Sequence, residues 1–370
     1  MNKELQEIIA QCERLESSAI KTVLATVVDV KGSSYRLPGA RMLIGENGEI
    51  IGMVSGGCLE ADILARMYRV LQSGVAEVFT YDTTIQENSI FSLNMGCRGR
   101  ISILLERPDN EIIKFFRTLY ISRVCGLAAT LIECNSEDGF KVGSRLLLNA
   151  ENLLSSNFTS EIQEKILPEC LVALQEKQSK HLTTETGKFF LEFIAPTTSL
   201  MIFGTGSDAI PIAGIAKNLG WHVTIIDHRA AFANAERFPE VDDIIITRPE
   251  NIAEKISIDE NTVAVVITHN YEHDKNILRF LLNSNAFYIG ALGPKRRTES
   301  ILTELRETNQ SFSASQLERL YAPIGLDIGA DTPEAIALSI IAEIKSVLSN
   351  RKGGFLREKK GSIYNRNATA

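Results

Sequence analysis

The sequence predicts an α/β protein in two parts: an N-terminal α/β region of two related halves, then a C-terminal doubly wound parallel sheet. Three observations carry this expectation. Residues 1–196 contain β-rich runs broken by glycine turns, and one strand–loop–strand pattern occurs there twice. Beyond residue 197, strands and helices alternate. The first strand of that series runs into Gly204-Thr205-Gly206-Ser207-Asp208-Ala209, with an amphipathic stretch behind it.

The bulk properties narrow the function. A chain of 370 residues suggests two or three domains. A formal net charge of -7 argues against a general nucleic-acid binder, which carries a basic surface. Met1–Ala10 is charged and has no long apolar run, so it does not read as a signal peptide. No stretch of 18 apolar residues is present, so no membrane span is expected and the cytoplasm is the expected compartment. Cysteines 12, 58, 97, 125, 134 and 170 form no C-x-x-C pair, which argues against a zinc ribbon, and no metal site is assigned. In a reducing compartment they are free thiols.

The elements follow in order. Leu5, Ile8, Ile9, Cys12 and Leu15 recur at helical spacing within residues 1–20. Thr22–Val30 is β-rich, and a loop with Gly32, Pro38 and Gly39 follows it. Arg41–Ile44 and Ile50–Val54 read as strands around Asn47-Gly48, a hairpin signal. Ser55-Gly56-Gly57-Cys58 leads into a helical stretch from Leu59 to Leu71. Val78–Tyr81 and Ile101–Leu105 read as strands, with Asn94–Gly99 between them.

The repeat is visible in this register. Ala25-Thr26-Val27-Val28-Asp29 resembles Ala129-Thr130-Leu131-Ile132-Glu133. Arg41 follows Thr26 by 15 residues, and Arg145 follows Thr130 by 15. Gly39–Ile44 then matches Gly143–Leu148, and each copy continues into a helix, the second at Glu161–Gln175. Halves 1–106 and 107–196 read as an internal duplication; two strand-turn-strand units that merely look alike are the alternative. The first copy places Gly56-Gly57-Cys58 before its helix, where the second has Ser156-Asn157-Phe158. The scaffold therefore does not require Gly-Gly-Cys, which points that feature toward function.

Ala195–Thr198 reads as a linker into a nucleotide- or cofactor-binding domain at 197–350. Leu200–Phe203, Val223–Asp227, Asp243–Thr247, Val263–Thr268 and Phe287–Ile289 read as strands. Helices are expected at Ala209–Leu219, His273–Asn283, Thr298–Thr308 and, opened by Pro333, up to Leu348. Residues 351–370 read as a basic flexible tail. The spacing Gly204, Gly206, Ala209 is the G-x-G-x-x-A form of a Rossmann-type phosphate loop, in which backbone amides and a helix amino terminus receive phosphate. Asp208 lies inside that loop. Asp227, 23 residues after Gly204, is placed to accept from ribose hydroxyls, which favours NAD over NADP. Loops at the same sheet edge supply further candidates: His228, Arg229, His269, Gly290, Gly293, Lys295, Arg296, Arg297, Gly325 and Asp327. A solvated basic turn is the alternative for the Lys-Arg-Arg trio.

Cys58 is expected at a helix amino terminus, which favours the thiolate; Arg98 and Arg100 would do the same for Cys97. Cys12, Cys125, Cys134 and Cys170 read as small buried hydrophobes. No Ser-His-acid set or close carboxylate pair supports hydrolase chemistry.

The ordered set Val54–Glu60, Gly96-Cys97-Arg98-Gly99, Gly204–Ala209, Asp227-His228-Arg229, Thr268-His269, Tyr288-Ile289-Gly290 and Ala322–Ala330 resembles the xanthine dehydrogenase accessory factor family (XdhC/CoxI type) over residues 10–348. The second cysteine loop departs from the family's usual Gly-Cys-Gly-Gly, since Arg98 replaces a glycine. The resemblance implies a chaperone that binds molybdenum cofactor (molybdopterin), assists its sulfuration with a cysteine desulfurase, and delivers it to xanthine dehydrogenase or a related molybdenum hydroxylase. It implies that Cys58 and Cys97 serve the metal or sulfur side, beside Gly56 and Gly57. Two other readings stay open: an NAD(P)-dependent oxidoreductase, and a non-catalytic nucleotide-binding regulator. A homodimer is the default assembly.

Overall fold

The computed structural model describes residues 1–82, 99–135, 140–150, 152–308, 310–361 and 363. Cys97 and Arg98 lie outside the described residues. The chain divides into two compact units, Lys3–Pro196 and Thr197–Gly361. Among the described residues no helix is long and apolar enough to cross a membrane.

The N-terminal unit holds two five-stranded sheets of one design. The first runs α1 (Lys3–Ser17), β1 (Thr22–Gly32), β2 (Arg41–Gly45), β3 (Ile50–Gly52), α2 (Glu60–Ser73), β4 (Glu77–Asp82) and β5 (Gly99–Glu106). The second runs α3 (Asn110–Ser122), β6 (Gly126–Cys134), β7 (Arg145–Asn149), β8 (Leu153–Ser156), α4 (Ser160–Gln175), β9 (Lys180–Thr183) and β10 (Gly187–Ile194). The sheet orders are β3-β2-β1-β5-β4 and β8-β7-β6-β10-β9, so the two halves share one topology. Both central antiparallel pairs break register at equivalent points, between Val27 and Asp29 and between Leu131 and Glu133.

Strand alternation sorts the core. Val23, Ala25 and Val27 point toward Ile63, Met67 and Val70 of α2, while Leu24 meets Ile8, Cys12 and Leu15 of α1. The second half repeats this with Leu127, Ala129 and Leu131 on Ile162, Ile166 and Cys170 of α4. Val28, Leu104, Ile132 and Phe190 then join the two halves. The junction also carries two reciprocal ion pairs. Arg41 at the start of β2 binds Glu192 of β10, with Nη1 to Oε1 at 2.8 Å. Arg145 at the start of β7 binds Glu106 of β5. The glutamates stand opposite Leu24 and Ala128, equivalent positions of β1 and β6.

The C-terminal unit is a six-stranded sheet in the order β13-β12-β11-β14-β15-β16, every neighbouring pair parallel. Its strands are β11 (Ser199–Phe203), β12 (His222–Asp227), β13 (Asp243–Ile246), β14 (Thr262–Val266), β15 (Tyr288–Ala291) and β16 (Leu320–Tyr321). Counted within the unit, this is the 3-2-1-4-5-6 order of a dinucleotide-binding Rossmann sheet. Its α-helices are α5 (Ala209–Asn218), α6 (Ile252–Lys255), α7 (Tyr271–Leu282), α8 (Lys295–Glu307), α9 (Ala314–Leu317) and α10 (Pro333–Leu348). Leu200, Ile202, Val263 and Val265 bury against α5 and α10. Phe203, Ala264 and Val266, on the other face, bury against α7 and α8. Because all six strands run the same way, the loops that follow them gather at one edge.

Candidate functional site

That edge collects most of the residues singled out in the sequence. Gly204 leaves β11 with φ of +120°, and a Cβ there would stand 2.6 Å from the Ile267 carbonyl oxygen. Only glycine fits between β11 and the segment that follows β14, where the strand order reverses. Ala209 is fully buried where α5 meets the sheet. His269 holds a left-handed backbone at φ of +57°, unusual for a non-glycine residue. Its ring lies over Gly206, with Nε2 3.3 Å from Asp208 Oδ2. A carboxylate and an imidazole thus share the amino end of α5. The first would repel an incoming phosphate and the second, when protonated, would attract it.

A cavity of about 210 Å³ opens beside this loop. Gly204, Asp227, His228 and Arg229 contribute to its wall. Asn270, beside His269 in the loop after β14, does so too, as do Thr247, Pro249, Ile252, His273 and Ile277, which the sequence alone assigns to no site. Their contribution follows from strand order, which brings the ends of β12, β13 and β14 together. The His228 and His273 rings meet edge to face at 4.9 Å.

The Asp227 carboxylate is already surrounded by donors. Its Oδ1 accepts from Arg229 N at 3.0 Å and Arg229 Nε at 3.0 Å. Its Oδ2 accepts from Thr205 Oγ1 at 2.6 Å and Arg229 Nη2 at 2.8 Å. His228 Nδ1 lies 3.2 Å from Oδ1. Burial alone would raise its pKa, but the hydrogen bonds from Arg229 and Thr205 outweigh it and hold the carboxyl well below the usual range.

Other candidates are placed less directly. Gly290 is inside β15, where a Cβ would stand 2.1 Å from Ile324 Cδ1, so it serves packing. Gly293 has φ of +134° in the turn before α8. That helix begins at Lys295, not at Thr298 as the periodicity suggests, because Pro294 fits the N-cap. Lys295, Arg296 and Arg297 therefore form its first turn. Arg297 is bound to Asp274, with Nη2 to Oδ2 at 2.6 Å, while Lys295 and Arg296 are exposed. Gly325 has φ of +110° against Ser339, and Asp327 is exposed.

In the N-terminal unit, Gly56, Gly57 and Cys58 form an exposed loop. The sequence predicts the helix to open at Cys58, but α2 begins at Glu60. The Glu60 carboxylate takes the local amides: it accepts from Ser55 N at 3.0 Å and Leu59 N at 3.1 Å. It also accepts from the Ser55 hydroxyl, whose Oγ in turn accepts from Gly57 N at 3.2 Å and the Cys58 thiol at 3.6 Å. Gly57 has φ of +101° with open space where a Cβ would be. The loop is braced from beneath and free above. The bracing role of Ser55 and Glu60 is not evident from the sequence, although a Ser five residues before an acid at a helix start is a visible signal. Cys12 and Cys170 are buried, whereas Cys125 and Cys134 are half-buried. Among the described residues no group of three His, Cys, Asp or Glu side chains is arranged to hold a metal ion.

Comparison with known proteins adds lineage to this geometry. The XdhC Rossmann domain model matches residues 200–344, and the XdhC and CoxI family model matches residues 16–82. A Bacillus subtilis (strain 168) protein named as a probable subunit of xanthine dehydrogenase is 32% identical over 327 residues, covering 88% of this chain and 92% of that one. The molybdenum cofactor insertion chaperone PaoD of Escherichia coli (strain K12) is 25% identical over 330 residues, covering 88% and 83%. A crystal structure from Bacillus halodurans, described as a xanthine dehydrogenase, superposes with a TM-score of 0.76 at 28% identity, covering 93% of this chain and 96% of that one. The glycine loop, the parallel sheet behind it and the cysteine loop thus sit in a known lineage: the chain belongs to the XdhC and CoxI family.

Proposed function

We propose that this protein is an accessory factor that binds molybdenum cofactor and delivers it to an apo molybdenum hydroxylase such as xanthine dehydrogenase. The observation that carries the reading is the Cys58 loop: an exposed thiol, braced by Ser55 and Glu60, beside a glycine with open space above it. The equivalent loop of the second half has no cysteine. A soft thiol suits the metal side of such a cofactor. A phosphate-binding sheet edge on the same chain suits an anionic group. The cofactor, when bound, supplies the molybdenum–dithiolene chemistry of the recipient enzyme. This chain's residues bind and release it: Gly57 lets the backbone come close, Ser55 fixes the thiol, and Cys58 makes the contact. The relative named as a molybdenum cofactor insertion chaperone supports this role. The finer part of the proposal is that a cysteine desulfurase sulfurates the cofactor before hand-over, with Cys97 taking part.

The test is co-purification from a cofactor-producing host, with pterin quantified by fluorescence after oxidation. Wild-type protein is expected to carry pterin and to activate apo-hydroxylase. Cys58→Ala is expected to lose most of both while keeping its unfolding midpoint. A folded Cys58→Ala protein that retains full pterin and full activation would overturn the reading.

A further inference from the structure

Four hydrogen bonds and the His228 contact converge on the Asp227 carboxylate. A carboxylate offers about four lone-pair sites. Arg229 fills two of them through N and Nε on Oδ1 and a third through Nη2 on Oδ2, while Thr205 fills the fourth. The Asp227 side chain is only 3% exposed. It has no acceptor left for a pair of ribose hydroxyls, which is what an acid at this strand end usually provides. Arg229 is arranged the opposite way. Its side chain is 41% exposed, its guanidinium lies over the Phe232 ring at 4.9 Å, and among the described residues Nη1 has no hydrogen-bond partner. Arg237 flanks the same ring at 5.2 Å, with Nη1 buried and unpartnered among the described residues. The adjoining cavity has apolar walls from Ile226, Pro249, Ile252 and Ile277. Its volume of about 210 Å³ is well below the roughly 300–1,000 Å³ of sites that enclose a drug-sized ligand, so it suits one flat ring system.

We propose that this cavity takes the base of a nucleotide whose ribose bears a phosphomonoester, with Arg229 as the specificity residue and Asp227 as the positioning residue that holds it. The guanidinium offers a planar fork to the phosphate, and the Asp227 side chain fixes its orientation beforehand. This reverses the preference for an unphosphorylated ribose that Asp227 suggests in the sequence. The inference goes beyond cofactor delivery: it concerns a nucleotide in the Rossmann sheet, and its failure would leave the Cys58 reading untouched.

The experiment is calorimetric titration of the full chain with NADP⁺, NAD⁺, 2′,5′-ADP and 5′-AMP, with no pterin present. The phosphorylated member of each pair is expected to bind about ten-fold tighter or more, the scale of one charge-assisted contact. Arg229→Ala is expected to bring each ratio to near one. Because that variant leaves a buried carboxylate short of partners, the double variant Asp227→Asn/Arg229→Ala is titrated as well and is expected to show the same loss. Equal or tighter binding of NAD⁺ and 5′-AMP overturns the proposal. So does absence of binding by all four, or a folded variant that keeps the wild-type ratio.

Discussion

In the first half of the N-terminal unit, β4 and β5 are joined by residues 83–98; in the second half, β9 and β10 are joined by residues 184–186. The loop before α2 carries Gly56-Gly57-Cys58, and the loop before α4 carries Asn157-Phe158-Thr159. The features that hold the halves together are, by contrast, shared. Gly39 and Gly143 stand two residues before the two arginines with the same φ of +91°, and each lies against the glutamate that the following arginine binds. Arg41 reaches Glu192 and Arg145 reaches Glu106, so each half neutralises a charge of the other at the common junction. Packing and charge constrain the two halves alike. Where they differ, stability does not explain the difference, and that is where chemistry belongs.

Breaking the shared part should have the largest effect. The Arg145 and Glu106 side chains are 6% and 5% exposed. Removing one partner leaves the other charge buried, which costs about 3–5 kcal/mol. Arg145→Met alone is expected to lower stability by that amount in urea unfolding. Arg145→Met/Glu106→Leu, which removes both charges, is expected to recover most of it. Arg41→Met and Arg41→Met/Glu192→Leu should behave alike if the halves are equivalent. Double variants no more stable than the single ones would show that the pairs do not act as coupled charges.

Much of this comparison was legible in the sequence, and its limits have physical reasons. The Thr26–Arg41 and Thr130–Arg145 spacings were readable because the offset from the central strand to the next is the same in both halves. Glu106 and Glu192 do not align by spacing, because the unequal β4–β5 and β9–β10 connections shift their registers apart. In the C-terminal unit, Gly204 could be read because a left-handed backbone at a strand end demands glycine. Asp227 is also legible, but sequence spacing places a carboxylate and does not show which donors already surround it. The thiol of Cys58 was visible, whereas its brace depends on a Ser55–Glu60 contact that forms only when the loop turns back on α2.

The differing part should respond in the opposite way, with a small change in stability and a large one in function. Gly57→Ala puts a Cβ into open space but forces φ of +101° on an L-residue. The expected cost is about 1–2 kcal/mol. Pterin retention should fall with it, because the loop must change its path to relieve the strain. The control is Gly39→Ala, equally left-handed at φ of +91° but facing the Glu192 carboxylate at 2.9 Å, where the stability loss should be larger. If Gly57→Ala destabilises as much as Gly39→Ala, the cysteine loop is part of the scaffold and the division proposed for the two halves fails.

The smallest expected effect is chemical and concerns the thiols. Each half buries one cysteine in a helix, Cys12 in α1 and Cys170 in α4. Burial pushes both thiols up to about 12; Glu16 and Glu13 add to the effect at Cys12, while at Cys170 Lys180 opposes it and Glu169 adds to it. A thiol whose pKa is raised on folding stabilises the native state fully below its unfolded value of about 8.5 and loses that contribution as pH rises toward the folded value. The protein is therefore expected to lose stability between about pH 8.5 and pH 12, and Cys170→Ala should flatten part of that slope. Below this window the buried thiols stay protonated and enclosed, so iodoacetamide at neutral pH should modify Cys58 well before Cys12 or Cys170, as peptide mass spectrometry would show. Modification of Cys170 at the rate of Cys58 would mean that the α4 face opens on that timescale. The exposed thiol would then no longer set the first half apart from the second.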